Sequence, residues 1–293
     1  MDENDWLAGR FEASRSRLRA RAYRMLGSLS DAEDAVQDAW LHAAGADPGA
    51  VDNLEGWFTT IVARVCLDRL RSRKSRREEP LGGEEPLGAE DSVLAGPEQE
   101  AMLADSVGLA LLVVLDTLAP AERVAFVLHD TFGLPFGEIA AITGRSPAAA
   151  RQLASRARRR VRGPAPVSRI RLARQREVAE AFLAASRGGD LGALLAVLDP
   201  EVVLHADAAS VPSGVPMTIR GAAAVARAAR AASGRSRYSG VALVNGTPGI
   251  VMAPRGRLVL VLALTIGDGK ISRIEVIADP ARLEELDLAV LDY

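Results

Sequence analysis

Two stretches of the 293-residue sequence gather cations in a pattern suited to a polyanion. In the first, Arg64, Arg69, Arg71, Arg73, Lys74, Arg76 and Arg77 crowd together, with Asp68 as the one carboxylate among them. Cations at a helix C-terminus oppose the macrodipole favourably, so some serve the helix itself. The density exceeds what a cap needs and suits a surface that tracks phosphates, whose binding weakens steeply with salt. Trp57, Phe58, Thr59 and Thr60 lie just upstream. An exposed Trp57 would stack on an unpaired base, whereas a buried one would serve the core.

The second stretch runs from Pro135 to Arg162. Glu138, Ile139, Ala140 and Ile142 read as a short helix, which Gly144 closes at a position suited to left-handed backbone. Ser146 caps a new helix with Pro147 in its first turn. Helix, tight turn and capped helix predict a helix-turn-helix. Ala150, Leu153 or Ala154, Ala157 and Val161 recur on one face and should be buried, leaving Arg151, Gln152, Ser155, Arg156, Arg158 and Arg159 opposite. Arg145 and Ser146 stand at the turn, and the small Ala148 and Ala149 let the helix start approach base edges. Arginine reads guanine bidentately, glutamine reads adenine, and the remaining arginines suit phosphates. A merely solvated basic face is the plainer alternative.

Two further places carry titratable groups. His205 and Asp207 are two apart on an expected strand, so both would face one side and could transfer a proton. A polar rim is the alternative. Cys66 is the sole cysteine, which excludes a disulfide framework and reads as a small buried hydrophobe. No metal site and no cofactor is expected.

The elements that must position these groups fall into blocks. From Trp6 to Arg77 the pattern is helical, with Ser30 and Asp31 as cap residues before Ala32–His42 and a long helix from Leu54 to Arg77. An acidic spacer follows at 78–97, where Glu-Glu-Pro-Leu-Gly occurs twice, and it reads as a flexible linker. The block 98–163 is helical again, and Gly163-Pro164-Ala165-Pro166 marks a boundary. From 168 to 293 two helices and an alanine-rich helix near Ala222–Ala232 accompany strands at Val202–His205, Tyr238–Asn245, Gly249–Ala253, Leu258–Ile266 and Lys270–Ile277. Gly267-Asp268-Gly269 is the expected hairpin turn, and the run reads as an antiparallel α+β domain. A net charge of −2 gives the whole molecule no general pull toward nucleic acid, so local clusters decide. The acidic start has no apolar core of a signal peptide, and no apolar run approaches the ~20 residues that span a bilayer. A cytoplasmic protein with no membrane partner is expected.

Taken in order, these parts resemble the sigma-70 family, in particular its small extracytoplasmic-function members. Ala22-Tyr23-Arg24-Met25-Leu26-Gly27-Ser28 and the stretch Asp31 to Leu41 resemble regions 2.1–2.2, Asn53 to Phe58 with Asp68 to Arg71 resemble regions 2.3–2.4, and Leu118 to Arg162 resembles region 4. The tail is similar to the SnoaL-like domain fused in a SigJ-like subgroup, on Asp199-Pro200, Ile219-Arg220-Gly221 and Asp279-Pro280-Ala281-Arg282-Leu283. That subgroup's Asp-Gly-Gly-Gly-Lys stretch falls on Asp207 to Val211 without its glycines or lysine.

The resemblance implies a multidomain fold: two all-α sigma domains (a region 2 bundle and a region 4 helix-turn-helix) and an α+β SnoaL-like cone. It implies that Asp31, Glu33, Asp34, Gln37 and Asp38 dock on the β′ clamp helices of core RNA polymerase, with the β flap as a further contact. Trp57, Thr60, Arg64, Arg69, Arg71, Arg73 and Lys74 would then recognise and melt the −10 element of promoter DNA. Arg145, Ser146, Ala148, Arg151, Gln152, Ser155, Arg156 and Arg159 would hold the −35 element. His205, Asp207, Asp279, Pro280 and Arg282 are the regulatory candidates of a tail that biases open against closed arrangements, a switch that needs a small ligand or protein partner. The function expected is transcription initiation without bond chemistry. The alternatives are a helix-turn-helix regulator with a ligand-binding tail, and cyclase or isomerase activity in the tail.

Overall fold

The computed structural model describes residues 3–46, 51, 53–78, 108–163, 168–236 and 238–290. The acidic spacer lies outside these residues except for Glu78, which closes a helix. Through Arg162 the described chain is helical: α1 (Glu3–Leu26), α2 (Leu29–Ala44), α3 (Leu54–Glu78), α4 (Leu109–Asp116), α5 (Pro120–Phe126), α6 (Phe136–Thr143) and α7 (Pro147–Arg162). Two compact units result. One comprises the described residues of Met1–Met102 and Leu115–Arg158, the other those of Leu103–Val114 and Arg159–Tyr293.

In the first unit α1, α2 and α3 pack on one another through Leu7, Phe11, Leu18, Met25, Val36, Phe58, Val62 and Leu67, all buried. The Phe58 ring meets Phe11 edge-on, centroids 5.0 Å apart, a favoured aromatic geometry. The cap of α2 is Ser28, two residues before the expected cap Ser30, with its Oγ accepting from the Asp31 N–H at 3.4 Å. Ala119 and Pro120 open α5 as N-cap and first residue. A π-helical turn, Val127–Thr131, follows α5, and α5 and α6 pack on α3. The two helical blocks thus share one core. Arg123, 1 % exposed, sits in it with an ion pair to Asp116 at 3.0 Å.

The second unit contains α8 (Arg169–Gly188), α9 (Leu191–Val197), β1 (Leu198–Ala206), β2 (Met217–Arg220), α10 (Ala222–Ala231), the short α11 (Ser233–Ser236), β3 (Ser239–Val244), β4 (Thr247–Met252), β5 (Leu260–Gly267), β6 (Lys270–Ile277), α12 (Pro280–Glu284) and β7 (Leu288–Ala289). The sheet order is β2-β1-β6-β5-β4-β3-β7. Phe182, Leu183, Leu194 and Val225 of the helices cover Ile250, Leu264, Ile271 and Ile274 of the sheet. Asp268 and Gly269 both take positive φ, 51° and 74°, in the expected β5–β6 hairpin turn, as a two-residue type I′ turn requires. The expected all-antiparallel pairing is corrected at one seam, because β1 runs parallel to β6 with Leu204 opposite Ile274. This makes the sheet mixed, and β2 and β7 are strands that sequence patterning did not mark. The segment flanking Gly163 also belongs here: the Val290 N–H donates to the Val161 carbonyl at 2.7 Å, and Gly240 lies against Leu109 and Ala110.

Candidate nucleic-acid interface

The helix-turn-helix forms as local chemistry dictates. Gly144 ends α6 at φ 68°, a conformation that costs glycine nothing. Ser146 Oγ accepts the Ala149 N–H at 3.2 Å and so caps α7. Ala150, Ala154, Ala157 and Val161 are fully buried. Arg145, Ser146, Ala148, Arg151, Gln152, Ser155, Arg156 and Arg159 are all exposed, so the structure brings the whole second candidate set onto one open face. The Arg151 guanidinium lies 5.3 Å from the Phe136 ring centroid, which aims it across α6. Arg158 departs from the expected face: it folds back onto Asp130 of the π-helical turn at 2.7 Å and is half-buried.

The first basic cluster divides in two. Arg69 pairs with Asp38 at 2.5 Å and with Asp34 at 3.8 Å, and Arg73 pairs with Asp31. Residues with two different expected partners therefore form one seam between α2 and α3. Burial works against the Arg69 charge, but the Asp38 hydrogen bond and the carboxylates of Asp38, Asp34 and Asp31 more than offset it and raise its pKa. Glu33 pairs with Arg19 at 3.1 Å, and Gln37 is exposed. Arg71 meets Asp68 at 3.3 Å in a largely solvated pair, and such pairs contribute little. Arg64, Arg71 and Lys74 are exposed, and Arg64 Nη2 donates to the Ala141 carbonyl at 3.1 Å. Thr60 donates its hydroxyl to the Gly56 carbonyl at 2.9 Å. Trp57 is half-buried, its ring 5.4 Å from Phe58, so the core takes part of its surface and one side stays open.

Beside this cluster, Arg21 donates to Thr59 Oγ1 at 2.7 Å, and Arg21 and Arg24 lie 5.3 and 5.2 Å from the Phe132 ring centroid. Sequence reasoning missed these contacts because no local pattern links residues so far apart in the chain. Cys66 is fully buried, and burial, against partial relief from Arg69, Arg123 and Arg73, pushes its thiol up to about 12. It is therefore a protonated, unreactive core group.

In the tail the candidates His205 and Asp207 have different partners. Asp207 follows β1 and is a structural joint. Its Oδ1 accepts from Ser210 N at 2.9 Å, and its Oδ2 from Ala278 N at 2.9 Å and Asp279 N at 3.0 Å. Burial raises its pKa, but the Asp279, Ala278 and Ser210 N–H groups outweigh that and hold it below the ordinary carboxylate value. Arg282 stands 3.7 Å from the same Oδ2. Asp279 caps α12 by accepting the Arg282 N–H at 3.0 Å, with Pro280 as first residue. Asp207, Asp279, Pro280 and Arg282 thus come together as the lock between the ends of β1 and β6. His205 is not part of it, since its Nδ1 lies 2.9 Å from Thr218 Oγ1 on β2. Among the described residues no group of three metal-ligating side chains gathers, and no helix is long and apolar enough to cross a membrane.

Comparison with known proteins explains why these two surfaces occur on one chain. Residues 10–76 match the family model for sigma-70 region 2, and residues 108–161 match that for sigma-70 region 4. The chain is 37% identical over 288 residues to the probable ECF RNA polymerase sigma factor SigI of Mycobacterium tuberculosis, covering 98% of both chains. It is 38% identical to the ECF RNA polymerase sigma factor SigJ of the same organism, covering 92% of this chain and 91% of the relative.

The chain belongs to the ECF RNA polymerase sigma factors.

The crystal structure of the Mycobacterium tuberculosis SigJ is 34% identical, covers 94% of this sigma factor and 98% of its own chain, and superposes with a TM-score of 0.46. Membership accounts for the order of the parts: a helical region 2 with its acidic α2 and basic α3, then a region 4 helix-turn-helix. As sigma factors do, this one binds core RNA polymerase and promoter DNA. The matched regions end at Arg76 and Val161, so the elements from α8 to β7 lie beyond both of them.

Proposed function

We propose that this sigma factor starts transcription by holding the −35 major groove with α7 while the basic face of α3 takes the −10 segment. The observation that supports it best is the division of α7, with Ala150, Ala154, Ala157 and Val161 fully buried and Ala148, Arg151, Gln152, Ser155, Arg156 and Arg159 exposed opposite them. Arg151 and Gln152 read base edges. Arg145, Arg156 and Arg159 hold phosphates, and Ser146, Ala148 and Ser155 allow close approach. On α3, Arg64, Arg71 and Lys74 meet the DNA backbone, Arg64 after it leaves the Ala141 carbonyl. Trp57 and Thr60 border the strand that is opened, and base stacking on Trp57 offsets part of the unstacking cost, a few kcal/mol. Arg69 and Arg73 act indirectly, by fixing α2 on α3. The carboxylates of that seam, with Glu33 and Gln37, present α2 to the β′ clamp helices, and region 4 meets the β flap. The α+β tail tunes activity and makes no bonds. The engagement of Asp207 with three N–H groups supports a structural part for it.

The test is run-off transcription with core polymerase on promoter templates. The wild-type chain should compete with another sigma factor for core. An Arg151→Ala, Gln152→Ala double variant should still bind core but lose −35-dependent initiation. Initiation by that variant at the wild-type level on every template would refute the assignment of α7, and failure to compete for core would favour an ordinary helix-turn-helix regulator.

A further inference from the structure

The region 4 match and the folded units are out of step. The match runs from 108 to 161, yet Leu109 to Val114 of α4 and the last turn of α7, from Arg159, fold with the second unit. Both ends of region 4 therefore reach one place, the edge of the sheet where β7 lies on β3. At one end, α4 needs a surface to rest on. Its eight residues, Leu109 to Asp116, are apolar but for the last, and so short a helix is marginal in water without packing. Leu112, Val113 and Val114 are fully buried. Gly240 of β3 admits the helix closely, because a Cβ there would stand 3.3 Å from both the Ala110 nitrogen and the Leu109 Cβ.

At the other end, β7 holds α7. A helix leaves its last carbonyls without intrahelical donors. Those of Arg159 and Arg160 accept the Gly163 N–H at 3.1 and 3.2 Å, and that of Val161 accepts the Val290 N–H at 2.7 Å. Gly163, at φ +62°, packs so closely that a Cβ on it would lie 2.6 Å from that of Ala289. β7 is itself fixed on β3 by the pairs Leu243–Ala289 and Val244–Leu288. Asn245 adds two bonds: its N–H donates to the Asp287 carbonyl at 2.8 Å, and its Oδ1 accepts the Asp287 N–H at 2.9 Å. A strand that only completed the sheet would not give its next N–H to a helix.

We propose that the β3–β7 edge is a seat for region 4, so that the tail completes the promoter-binding region instead of following it. Its part in DNA binding falls on Arg159, which is exposed on the turn that Val290 holds and belongs to the same compact unit. Without the seat that turn frays, and the phosphate contact of Arg159 is lost with it. The inference deepens the tuning role proposed for the tail. Its DNA consequence rests on α7 being the −35 reader, whereas the seat itself does not.

The test is amide hydrogen exchange of the full-length chain, paired with salt-dependent binding of its holoenzyme with core polymerase to a promoter duplex. Val290→Pro removes the donated N–H, and Val290→Ala keeps it. Losing that hydrogen bond should speed exchange at Arg160–Gly163 roughly two- to tenfold, with the β5 and β6 amides unchanged. The Pro variant should also lose about 0.9 from the slope of log affinity against log salt, one phosphate contact. Arg159→Gln should lose the same, and the double variant no more than either. Val290→Ala should match wild type in both measurements. Gly240→Val should speed exchange in α4 and leave the end of α7 alone. Should Val290→Pro loosen the whole sheet, Asn245→Gly decides, because it suits the φ of 50° and removes only the side-chain acceptor for Asp287. It should show the same pattern at smaller size. Unchanged exchange at Arg160–Gly163 in both Val290→Pro and Asn245→Gly overturns the seat. So does unchanged α4 exchange in Gly240→Val, or Val290→Ala behaving like Val290→Pro. Faster exchange with no slope change in Val290→Pro or Arg159→Gln supports the seat and counts instead against α7 as the −35 reader.

Discussion

Replacing Asp207 with alanine should weaken the tail far more than its surface position suggests. Three backbone N–H groups, of Ser210, Ala278 and Asp279, lose an acceptor they meet at 2.9 to 3.0 Å. Hydrogen bonds to a charged group contribute about 1.5–3 kcal/mol each. The Asp207 side chain is 11% exposed, so water can replace part of the loss. A net cost of about 2–4 kcal/mol follows, in the range for breaking a buried network. At roughly 3 °C per kcal/mol for a unit of this size, the melting temperature should fall by about 6–12 °C. Asp207→Asn should cost about half, since one carbonyl oxygen replaces two carboxylate oxygens.

The pH dependence has a definite sign. Because folding lowers the Asp207 pKa, its contribution is present above the unfolded-state value of about 3.9 and is lost as pH falls through the folded value. The gap between wild type and Asp207→Ala should therefore be constant from about pH 8 to pH 5 and close below about pH 4. Calorimetric or circular-dichroism melts across that range are the assay. A variant melting within about 1 °C of wild type at pH 7 would refute the reasoning. His205→Ala, outside the lock, is the control and should leave both the melt and transcription unchanged.

Three other outcomes can be checked. Gly163→Ala places a Cβ 2.6 Å from that of Ala289 at a φ of +62°, so it should cost about 1–3 kcal/mol in thermal melts, and adding Ala289→Gly should recover part of this. With its thiol at about 12, Cys66 should label with a disulfide reagent at pH 8 only as fast as the protein opens, and labelling within seconds of mixing would contradict its burial. Arg151→Ala should cost about 1–3 kcal/mol on the cognate −35 sequence and relax its specificity, whereas Arg156→Ala should weaken all sequences alike and reduce the salt slope by about one. Binding assays on matched and mismatched duplexes separate the two.

What the sequence determined by itself is whatever neighbouring residues settle between them. Gly144, Ser146 and Pro147 specify the turn and cap of α7 within four positions, and the spacing of Ala150, Ala154, Ala157 and Val161 then assigns its buried and open faces. The β5–β6 hairpin was legible for the same reason, since Asp268 and Gly269 fit its turn between two runs rich in aliphatic and β-branched residues.

Tertiary structure decided what depends on partners distant in the chain. Nothing local says that Arg69 and Arg73 are engaged by Asp38 and Asp31, or that Arg158 turns to Asp130. The parallel pairing of β1 with β6 joins segments about seventy residues apart, and hydrophobic alternation specifies a strand's faces but not the direction of its neighbour. Asp207 is the clearest case. Two residues after His205 it resembles an acid–base partner, yet the N–H groups at the end of β6 make it a structural anchor. A side chain's chemical type limits what it can do, and the groups that folding brings within 3 Å select among those options.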